Sequence, residues 1–388
     1  MSTETTITPA LTMLSEEETL LRDAIRAFAE EQVRPRAREM EQAGRHAPEL
    51  IRGLFEIGAM GIDVPEEYGG AGGSFFQSIL AVEEISRADA SVGVLVDVQN
   101  TLFNSAVQRW GTDAQKQAWL PRTTADTVAA YALSEAGSGS DAFALACRAR
   151  NQGDSWVLDG RKLWITSGAE AGLYLLFANA EPERGYKGIT AYVVARDDPG
   201  FGIGKRESKL GIRASSTVEL ILDGCRVPAD RVLGEVGKGY KIAIETLNVG
   251  RIGIGAQMVG VARAALEAAC RYVKERQQFG KPLAAFQAVQ HELARSATRL
   301  EAARLLVYNA ARLRDAGRDY LAEAAMAKLY SSEAAEHVTS AAVELFGGYG
   351  YTTEYPVEKY YRDAKIGKIY EGTSFMQLNT IAKTLLAD

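Results

Sequence analysis

"SWVLDGRKLWITS", residues 155–167, decides the fold class, because it interrupts a chain that otherwise carries helical patterns. Its aromatic and β-branched residues predict strands on both sides of Asp159-Gly160, a dipeptide typical of hairpin turns. Three similar runs follow it: "LYLLFANA" (173–180), "GITAYVVARD" (188–197) and "VELILDGCRVP" (218–228). We therefore expect a small β domain in this part of the chain.

Helical patterns flank the β region. Ser15 and Glu18 form a capping box before apolar residues at helical spacing, and helical segments continue over about residues 48–120. Four long helical patterns with short connections predict a bundle after residue 233: about 240–275, 283–316, 319–346 and 374–386. The expected fold is α+β and mostly α. Its parts are an N-terminal α-helical domain over residues 1–126, a middle β domain over 127–232 and a C-terminal four-helix bundle over 233–388.

Nucleotide-binding folds of the doubly wound kind are disfavoured. The order helices, strands, helices lacks βαβ alternation, and "GEVGKGY" (234–240) lacks the Ser or Thr that follows Gly-Lys in a P-loop.

Composition and charge exclude further classes of protein. The net charge is -6 over 388 residues, with basic residues spread throughout, so neither nucleic acid nor a membrane surface is an expected partner. No apolar run reaches the roughly 20 residues that span a bilayer. The three cysteines and three histidines are scattered, which predicts no disulfide framework and no metal site. The N-terminus has no leader pattern, so we expect a cytoplasmic protein.

Three stretches rich in small residues leave two interpretations open. "YALSEAGSGSDAFAL" (131–145) is either a flexible polar linker or a loop whose amides and hydroxyls hold a cofactor. In "KLWITSG" (162–168), Trp164 is either a core residue or a cover for a planar ring. "FGGYGY" (346–351) is either a helix C-cap or a backbone that a flat or phosphorylated cofactor approaches.

Glu371 is the most informative carboxylate in the chain. In "KIGKIYEGTSFMQLNTIAK" (365–383) it directly precedes the predicted start of the last helix, with Thr373 or Ser374 as N-cap. It is either a solvated loop carboxylate beside Lys365 and Lys368, or a catalytic group.

Taken together, six motifs in this order resemble the acyl-CoA dehydrogenase family over nearly the whole chain. They are "LSEAGSGSD" (133–141), "LWITSG" (163–168), "NVGRIGI" (248–254), "RQQFGKPLAAFQAVQ" (276–290), "ELFGGYGY" (344–351) and "IYEGTS" (369–374). Within the family, "QNTLFNS", "SKLGIRASST" and "EYPVEKYYRDAKIGKIYEGTS" are most similar to short/branched-chain (2-methylacyl-CoA) dehydrogenases.

The resemblance implies a function, a cofactor and partners. The family binds FAD, forms homotetramers that are dimers of dimers, and passes electrons to electron transfer flavoprotein. Glu371 would remove the α-proton of a short or short-branched acyl-CoA while flavin N5 takes the β-hydride, which leaves a trans-2-enoyl-CoA. The alternatives are a straight short-chain (butyryl-CoA) dehydrogenase, an oxygen-using acyl-CoA oxidase or flavin monooxygenase on the same fold, and a non-catalytic acyl-CoA-binding protein.

Further site residues are carried over from the family motifs. The positions that match flavin contacts are Tyr131, Leu133, Ser134, Gly139, Ser140, Trp164, Ile165, Thr166, Arg276, Phe279, Gln287, Glu344, Gly347, Gly348, Thr373 and Phe375, of which Arg276, Gln287 and 344–348 act across a subunit interface. The positions that match substrate contacts are Ser140, Tyr186, Tyr240, Asn248, Arg251 and Gly372. Without the resemblance, Tyr186 and Tyr240 would be half-exposed loop aromatics and Arg276 a solvated helix-end charge.

Three positions refine these expectations. Some relatives carry the base just before the residue that matches Arg251, but Gly250 occupies that position here and cannot abstract a proton. Gly93 stands where glutaryl-CoA dehydrogenases have an Arg, which disfavours a dicarboxylyl substrate. Asp97 would repel such a substrate further if it faced the pocket, although it could instead lie on an outward helix face.

Overall fold

A computed structural model describes residues 10–387. The prediction that the N-terminus carries no leader falls partly on residues 1–9, which lie outside the described residues. Within residues 10–387, no helix is both long and apolar enough to cross a bilayer.

The N-terminal part is helical, as the sequence predicts. The predicted capping box is confirmed: Glu18 N donates to Ser15 Oγ (3.2 Å) and Ser15 N donates to Glu18 Oε2 (2.9 Å). A seven-residue π-helix, Val98–Asn104, continues α5 into α6. The helices are α1 Glu16–Phe28, α2 Ala37–Ala43, α3 Pro48–Glu56, α4 Phe75–Ala88, α5 Ala90–Asp97, α6 Ser105–Trp110 and α7 Asp113–Ala125.

The middle part forms one eight-stranded sheet. Its order is β6-β7-β3-β2-β4-β5-β8, and β1 pairs with β4 in parallel. Every residue of β4 and β5 is buried, so both faces of these two strands are covered. The strands are β1 Ala129–Ala132, β2 Arg148–Asn151, β3 Ser155–Thr166, β4 Leu173–Asn179, β5 Ile189–Ala195, β6 Phe201–Arg206, β7 Thr217–Pro228 and β8 Val232–Leu233.

The predicted turn at Asp159-Gly160 is wrong, because β3 runs through both residues without reversing. The pairing of β3 with β7 shifts register between Leu158 and Gly160, so the dipeptide lies at a β-bulge. Gly160 has φ 146°, and a Cβ atom there would lie 2.9 Å from the Cα atom of Cys147, the residue just before β2. The glycine is therefore required by the bulge and by close strand packing.

The C-terminal part contains the four predicted helices and one short additional helix, α11. The long helix α8 packs against α4 of the N-terminal part and against α9 and α10. The elements are α8 Gly239–Glu275, β9 Gln277–Gln278, β10 Lys281–Pro282, α9 Gln287–Asp315, α10 Leu321–Phe346, α11 Val357–Ala364 and α12 Ser374–Leu385.

Candidate functional site

Glu371 lies in a left-handed turn just before α12. Its φ is 50° and that of Gly372 is 86°. Two side chains hold the turn by hydrogen bonds to its backbone: Lys328 Nζ donates to Gly372 O (2.5 Å), and Gln377 Nε2 donates to the same oxygen (2.9 Å). A left-handed non-glycine residue persists only where its surroundings fix it, and such residues concentrate at functional sites.

The side chain of Glu371 rests against helix α8 at Gly250. A Cβ atom at position 250 would lie 2.1 Å from Glu371 Oε2 and 2.7 Å from Leu102 Cδ2. The residue as a whole is half-buried, but Oε2 has no exposed surface and no hydrogen-bond partner among the described residues. A buried carboxylate oxygen without a partner is the arrangement expected of a group kept free to accept a proton.

The electrostatic surroundings of Glu371 favour a base that works near neutral pH. Burial raises the pKa of Glu371 to about 7, while the positive charges of Lys328 and then Arg251 act in the opposite direction. Burial lowers the pKa of Lys328 to about 8, and Arg251 is held by Asn248 (Nη1 to Oδ1, 2.9 Å).

The alternative of a solvated carboxylate beside Lys365 and Lys368 is wrong. Lys365 Nζ lies 2.5 Å from Glu336 Oε1, and Lys368 pairs with the other oxygen of the same carboxylate. Both lysines therefore form ion pairs with a carboxylate of α10, and the positive charges that act on Glu371 are those of Lys328 and Arg251.

The loop over residues 131–145 is anchored, so the alternative of a flexible polar linker is wrong. Lys162, fully buried on β3, donates to Glu135 Oε1 (2.7 Å) and to Leu133 O (3.0 Å). Glu135 Oε2 accepts from Ala146 N (2.6 Å), which ties both ends of the loop to one carboxylate. The tip carrying Gly139 and Ser140 stays exposed, and a Cβ atom at Gly139 would meet nothing within 4 Å. The loop thus has fixed ends and an open, amide-rich tip.

Trp164 is not a core residue, because 59% of its surface is exposed. It has φ 63° and lies where β3 shifts register against β7 between Lys162 and Ile165. A bulge re-aims a side chain, so Ile165 turns into the core while the indole turns outward. Leu163 N, one residue earlier, donates to Ser134 O (2.9 Å) and joins this strand to the 131–145 loop. Thr166 is half-buried beside it. An exposed flat indole on a strand joined to the 131–145 loop fits a planar cofactor.

Three aromatic rings meet near the N-terminal end of α8. The centroids of Tyr186 and Tyr240 are 5.2 Å apart, and Phe143 lies 6.2 Å from Tyr186 and 6.5 Å from Tyr240. We call these three residues the aromatic cluster. The two tyrosines predicted to contact substrate therefore lie together, and Phe143 of the 131–145 loop joins them.

A second set of predicted cofactor residues lies far from Glu371 within the chain. Arg276 follows the last residue of α8, which places it about 39 Å along the helix axis from Gly250. Its guanidinium lies 5.5 Å from the Tyr349 ring, beside a cavity of about 550 Å³ lined also by Glu344, Gly347 and Gly348. Gln287 is exposed, and Phe279 is 92% exposed. We call Arg276, Phe279, Gln287, Glu344, Gly347 and Gly348 the distal group.

The start of α12 presents amides and one buried hydroxyl. Thr373 is the N-cap residue, and Ser374 Oγ is buried without a hydrogen-bond partner among the described residues. Phe375 is 77% exposed. The N-terminus of this twelve-residue helix, together with a hydroxyl that has no other hydrogen-bond partner, fits a phosphate group.

Tyr131, which the family resemblance places at the flavin, lies close enough to Glu371 to be affected by its charge. Its hydroxyl is buried without a partner, and burial, then the charge of Glu371, raises its pKa well above the ordinary value. Leu133, in the same loop, is buried.

Sequence reasoning missed Lys328, Leu102 and Gln377. Lys328 is fully buried in the alanine-rich helix α10. A single lysine on the apolar face of a predicted helix is the sequence signal that could have identified it. Leu102 and Gln377 carry no such signal, because their roles depend on which residues the fold brings opposite them.

Gly93 and Asp97 are both buried on α5. A Cβ atom at Gly93 would lie 1.9 Å from Ser86 Oγ, so α4 already fills the space in which a larger residue would stand. The outward-facing alternative for Asp97 is wrong, because this residue has 0% exposure.

Family models match most of the chain. The acyl-CoA dehydrogenase N-terminal domain matches residues 15–127, the middle domain residues 130–225 and the C-terminal domain residues 237–386. A probable short/branched chain specific acyl-CoA dehydrogenase of Dictyostelium discoideum is 51% identical over 377 residues, which cover 97% of this chain and 91% of that protein.

Solved structures agree with this match. Butyryl-CoA dehydrogenase of Megasphaera elsdenii has a TM-score of 0.95 and 40% identity, covering 96% of this chain and 99% of its own. A glutaryl-CoA dehydrogenase of Mycobacterium smegmatis in complex with FADH2 has a TM-score of 0.91 and 31% identity, covering 97% and 96%. The protein therefore belongs to the acyl-CoA dehydrogenase family and is a flavin-dependent oxidoreductase.

Proposed function

We propose that the protein oxidises short or short-branched acyl-CoA to trans-2-enoyl-CoA, with Glu371 as the catalytic base. The observation that carries the proposal is the Glu371 carboxylate: its Oε2 is buried and unpartnered against Gly250, and its pKa is raised to about 7. A proton next to a thioester carbonyl is a very weak acid, so its removal needs a desolvated base at a fixed position.

The backbone turn that carries Glu371 is held by side chains of α10 and α12. Lys328 and Gln377 both donate to Gly372 O, which fixes the turn that carries Glu371. The positive charges of Lys328 and Arg251 keep the carboxylate from becoming so basic that it stays protonated at neutral pH. The N–H of Glu371 is, by the family resemblance, a donor to the thioester oxygen as negative charge develops there.

FAD is the proposed cofactor. When bound, it supplies the two-electron acceptor for the hydride that leaves the β-carbon. The anchored loop with its open tip at Gly139 and Ser140, the outward Trp164 with Thr166, and the unused Ser374 hydroxyl are the residues of this chain that would hold it. The ring would lie by Trp164 and the phosphates by the start of α12.

We propose that the distal group of one chain contacts FAD bound to a second copy of the chain. Because Arg276 lies about 39 Å along α8 from Gly250, it serves a different bound molecule from the one beside Glu371 or reaches it from a neighbouring subunit. The strongly exposed Phe279 and Tyr351 (88%) support a subunit contact at this end. We propose a homotetramer in which the distal group contacts the neighbouring FAD, with electron transfer flavoprotein as the acceptor and the cytoplasm as the compartment.

The substrate range is tested by anaerobic titration of the flavin absorbance with 2-methylbutyryl-, isobutyryl-, butyryl-, isovaleryl- and glutaryl-CoA. We expect rapid bleaching by the 2-methyl-branched thioesters, because the similarity to a short/branched chain relative is the highest reported above. A preference for butyryl-CoA would move the protein to the straight short-chain class. Absence of bleaching by all five, with flavin bound, would contradict the proposed function. Rapid reoxidation of the bleached flavin when air is admitted after the titration would favour an oxidase.

The pH dependence of kcat/KM should report the ionisation of Glu371. The base acts when it is deprotonated, so activity is present above its pKa and is lost as the pH falls. We expect kcat/KM with the best substrate to fall tenfold per pH unit below a midpoint near pH 7. The measurement is flavin bleaching in the free-enzyme limit between pH 5 and pH 8.5.

Lys328→Met gives the control for this assignment. It removes the positive charge that lowers the Glu371 pKa most and keeps an unbranched side chain of similar length. The turn loses the hydrogen bond from Lys328 but keeps the one from Gln377 to Gly372 O. The midpoint should then move to higher pH. An unchanged midpoint in a variant that retains its flavin would show that another group sets the acid limb.

A further inference from the structure

The tip of the loop between β1 and β2 is not held by packing. The loop runs from the end of β1 at Ala132 to the start of β2 at Arg148. A Cβ atom at Gly137 or at Gly139 would meet nothing within 4 Å, and the contact of Phe143 with the aromatic cluster lies beyond the tip. A glycine-containing backbone loses much conformational freedom when it is ordered. Polar contacts must therefore fix this loop.

One carboxylate closes the loop at its base. Glu135 Oε2 accepts from Ala146 N (2.6 Å), and Oε1 accepts from Cys147 N (3.2 Å). The main chain of Glu135 also exchanges two hydrogen bonds with that of Ser138 (3.0 and 3.1 Å). Only 6% of the Glu135 side chain is exposed. The first and last residues of the loop thus meet at a buried carboxylate.

Lys162 supplies the opposite charge from β3. Its Nζ lies 2.7 Å from Glu135 Oε1 and 3.0 Å from Leu133 O, and its side chain has no exposed surface. Among the described residues, neither charge has a second ion-pair partner. Because a buried charge without a partner is strongly destabilising, each of these two groups keeps the other in place.

The same part of β3 carries the indole that faces outward. Leu163 N donates to Ser134 O (2.9 Å), and Trp164 follows directly. Loop residues 133–135 are therefore bonded to strand residues 162–163, next to Trp164. The relative position of the loop and of Trp164 depends on this buried ion pair and on one backbone hydrogen bond.

We propose that Lys162 and Glu135 are positioning residues of the FAD site, whose ion pair holds the loop in its binding conformation before the cofactor arrives. The inference rests on the proposed function, in which this loop and Trp164 hold FAD. A loop that is already ordered loses less conformational entropy on binding. The ion pair therefore increases the affinity for FAD through the loop, without a contact of its own with the cofactor.

The test measures FAD release from the flavin-loaded protein on dilution, by the rise in flavin fluorescence, together with hydrogen exchange of the Ala146 and Cys147 amides. Lys162→Met leaves the Glu135 charge buried and unpaired. We expect FAD release to become about 100-fold faster and both amides to lose protection. Lys162→Met combined with Glu135→Gln removes both charges and keeps an oxygen for the amides. This double variant should release FAD within about tenfold of the wild-type rate.

Arg161→Met is the matched control. Arg161 is the neighbouring residue on β3, and it pairs with Glu219 (2.8 Å), but 64% of its side chain is exposed. An exposed ion pair contributes little, so FAD release and the exchange of the two amides should stay at wild-type rates.

Several outcomes would overturn the proposal. One is a wild-type rate of FAD release in Lys162→Met, or in Glu135→Gln if the methionine variant does not fold. Another is a double variant that releases FAD as fast as Lys162→Met, because the unpaired charge would then not be the cause. A lower thermal midpoint with unchanged FAD release and amide exchange would show that the pair stabilises the sheet and does not position the loop. Failure of the proposed function is a separate result, seen in the wild type as a protein that binds no FAD or whose flavin no acyl-CoA bleaches.

Discussion

Glu371→Gln should retain flavin and acyl-CoA binding but reduce the rate of flavin bleaching by about 10³-fold or more. The amide has nearly the same shape as the carboxylate but cannot accept the α-proton. Because Glu371 Oε2 has no hydrogen-bond partner among the described residues, replacing the carboxylate by an amide breaks no hydrogen bond at this oxygen. The turn itself depends on Lys328 and Gln377, which remain.

The measurement combines flavin content, spectral perturbation by a substrate analogue and stopped-flow bleaching under anaerobic conditions. The comparison is made well above pH 8, where Lys328 is largely neutral in both proteins: its pKa is about 8 in the wild type, and loss of the negative charge of Glu371 lowers this pKa further. Glu301→Gln is a suitable control, since this half-exposed carboxylate pairs with Arg304 on α9, away from the turn. Wild-type bleaching rates in Glu371→Gln would remove this residue from the role of base.

Most of the architecture could be predicted from the sequence because local signals agree with the tertiary structure. The capping box at Ser15 and Glu18 begins α1 as expected, and the four apolar runs between residues 155 and 228 all lie in strands. The exception is Asp159-Gly160. A hairpin turn and a β-bulge both favour a residue with positive φ, so the dipeptide alone does not distinguish them. It is a bulge because β3 pairs with β7 on both sides of the register shift between Leu158 and Gly160.

The candidate site could be predicted only in part, because its chemistry depends on contacts between distant segments. The position of Glu371 before the last helix follows from the sequence, but its counter-charges do not. Lys365 and Lys368 are near it in sequence, yet they pair with Glu336, while Lys328, 43 residues away, approaches from α10. The outward turn of Trp164 likewise depends on a register shift that only pairing with β7 produces.

Gly250 links the helix packing to the position of the base. Relatives that carry a carboxylate at this position place their base on α8, whereas here the same space holds the carboxylate that arrives from residue 371. Any side chain at position 250 competes with it, since the first carbon would already lie 2.1 Å from Oε2, far inside van der Waals contact. The glycine is thus a steric condition for Glu371 to act.

Gly250→Ala should therefore reduce kcat by about 10²-fold while leaving the fold intact, because a displacement of the base by about 1 Å costs that much in a positioned reaction. Alanine favours a helix over glycine by up to about 1 kcal/mol, which offsets part of the local overlap, so the thermal midpoint should change little. The measurements are single-turnover bleaching and thermal unfolding of the flavin-loaded protein. Gly202→Ala on β6 is the matched control, since a Cβ atom there meets only Ile221 Cβ at 3.7 Å and Ile221 O at 3.9 Å. Undiminished turnover in Gly250→Ala would mean that Glu371 acts from a position other than the one against α8.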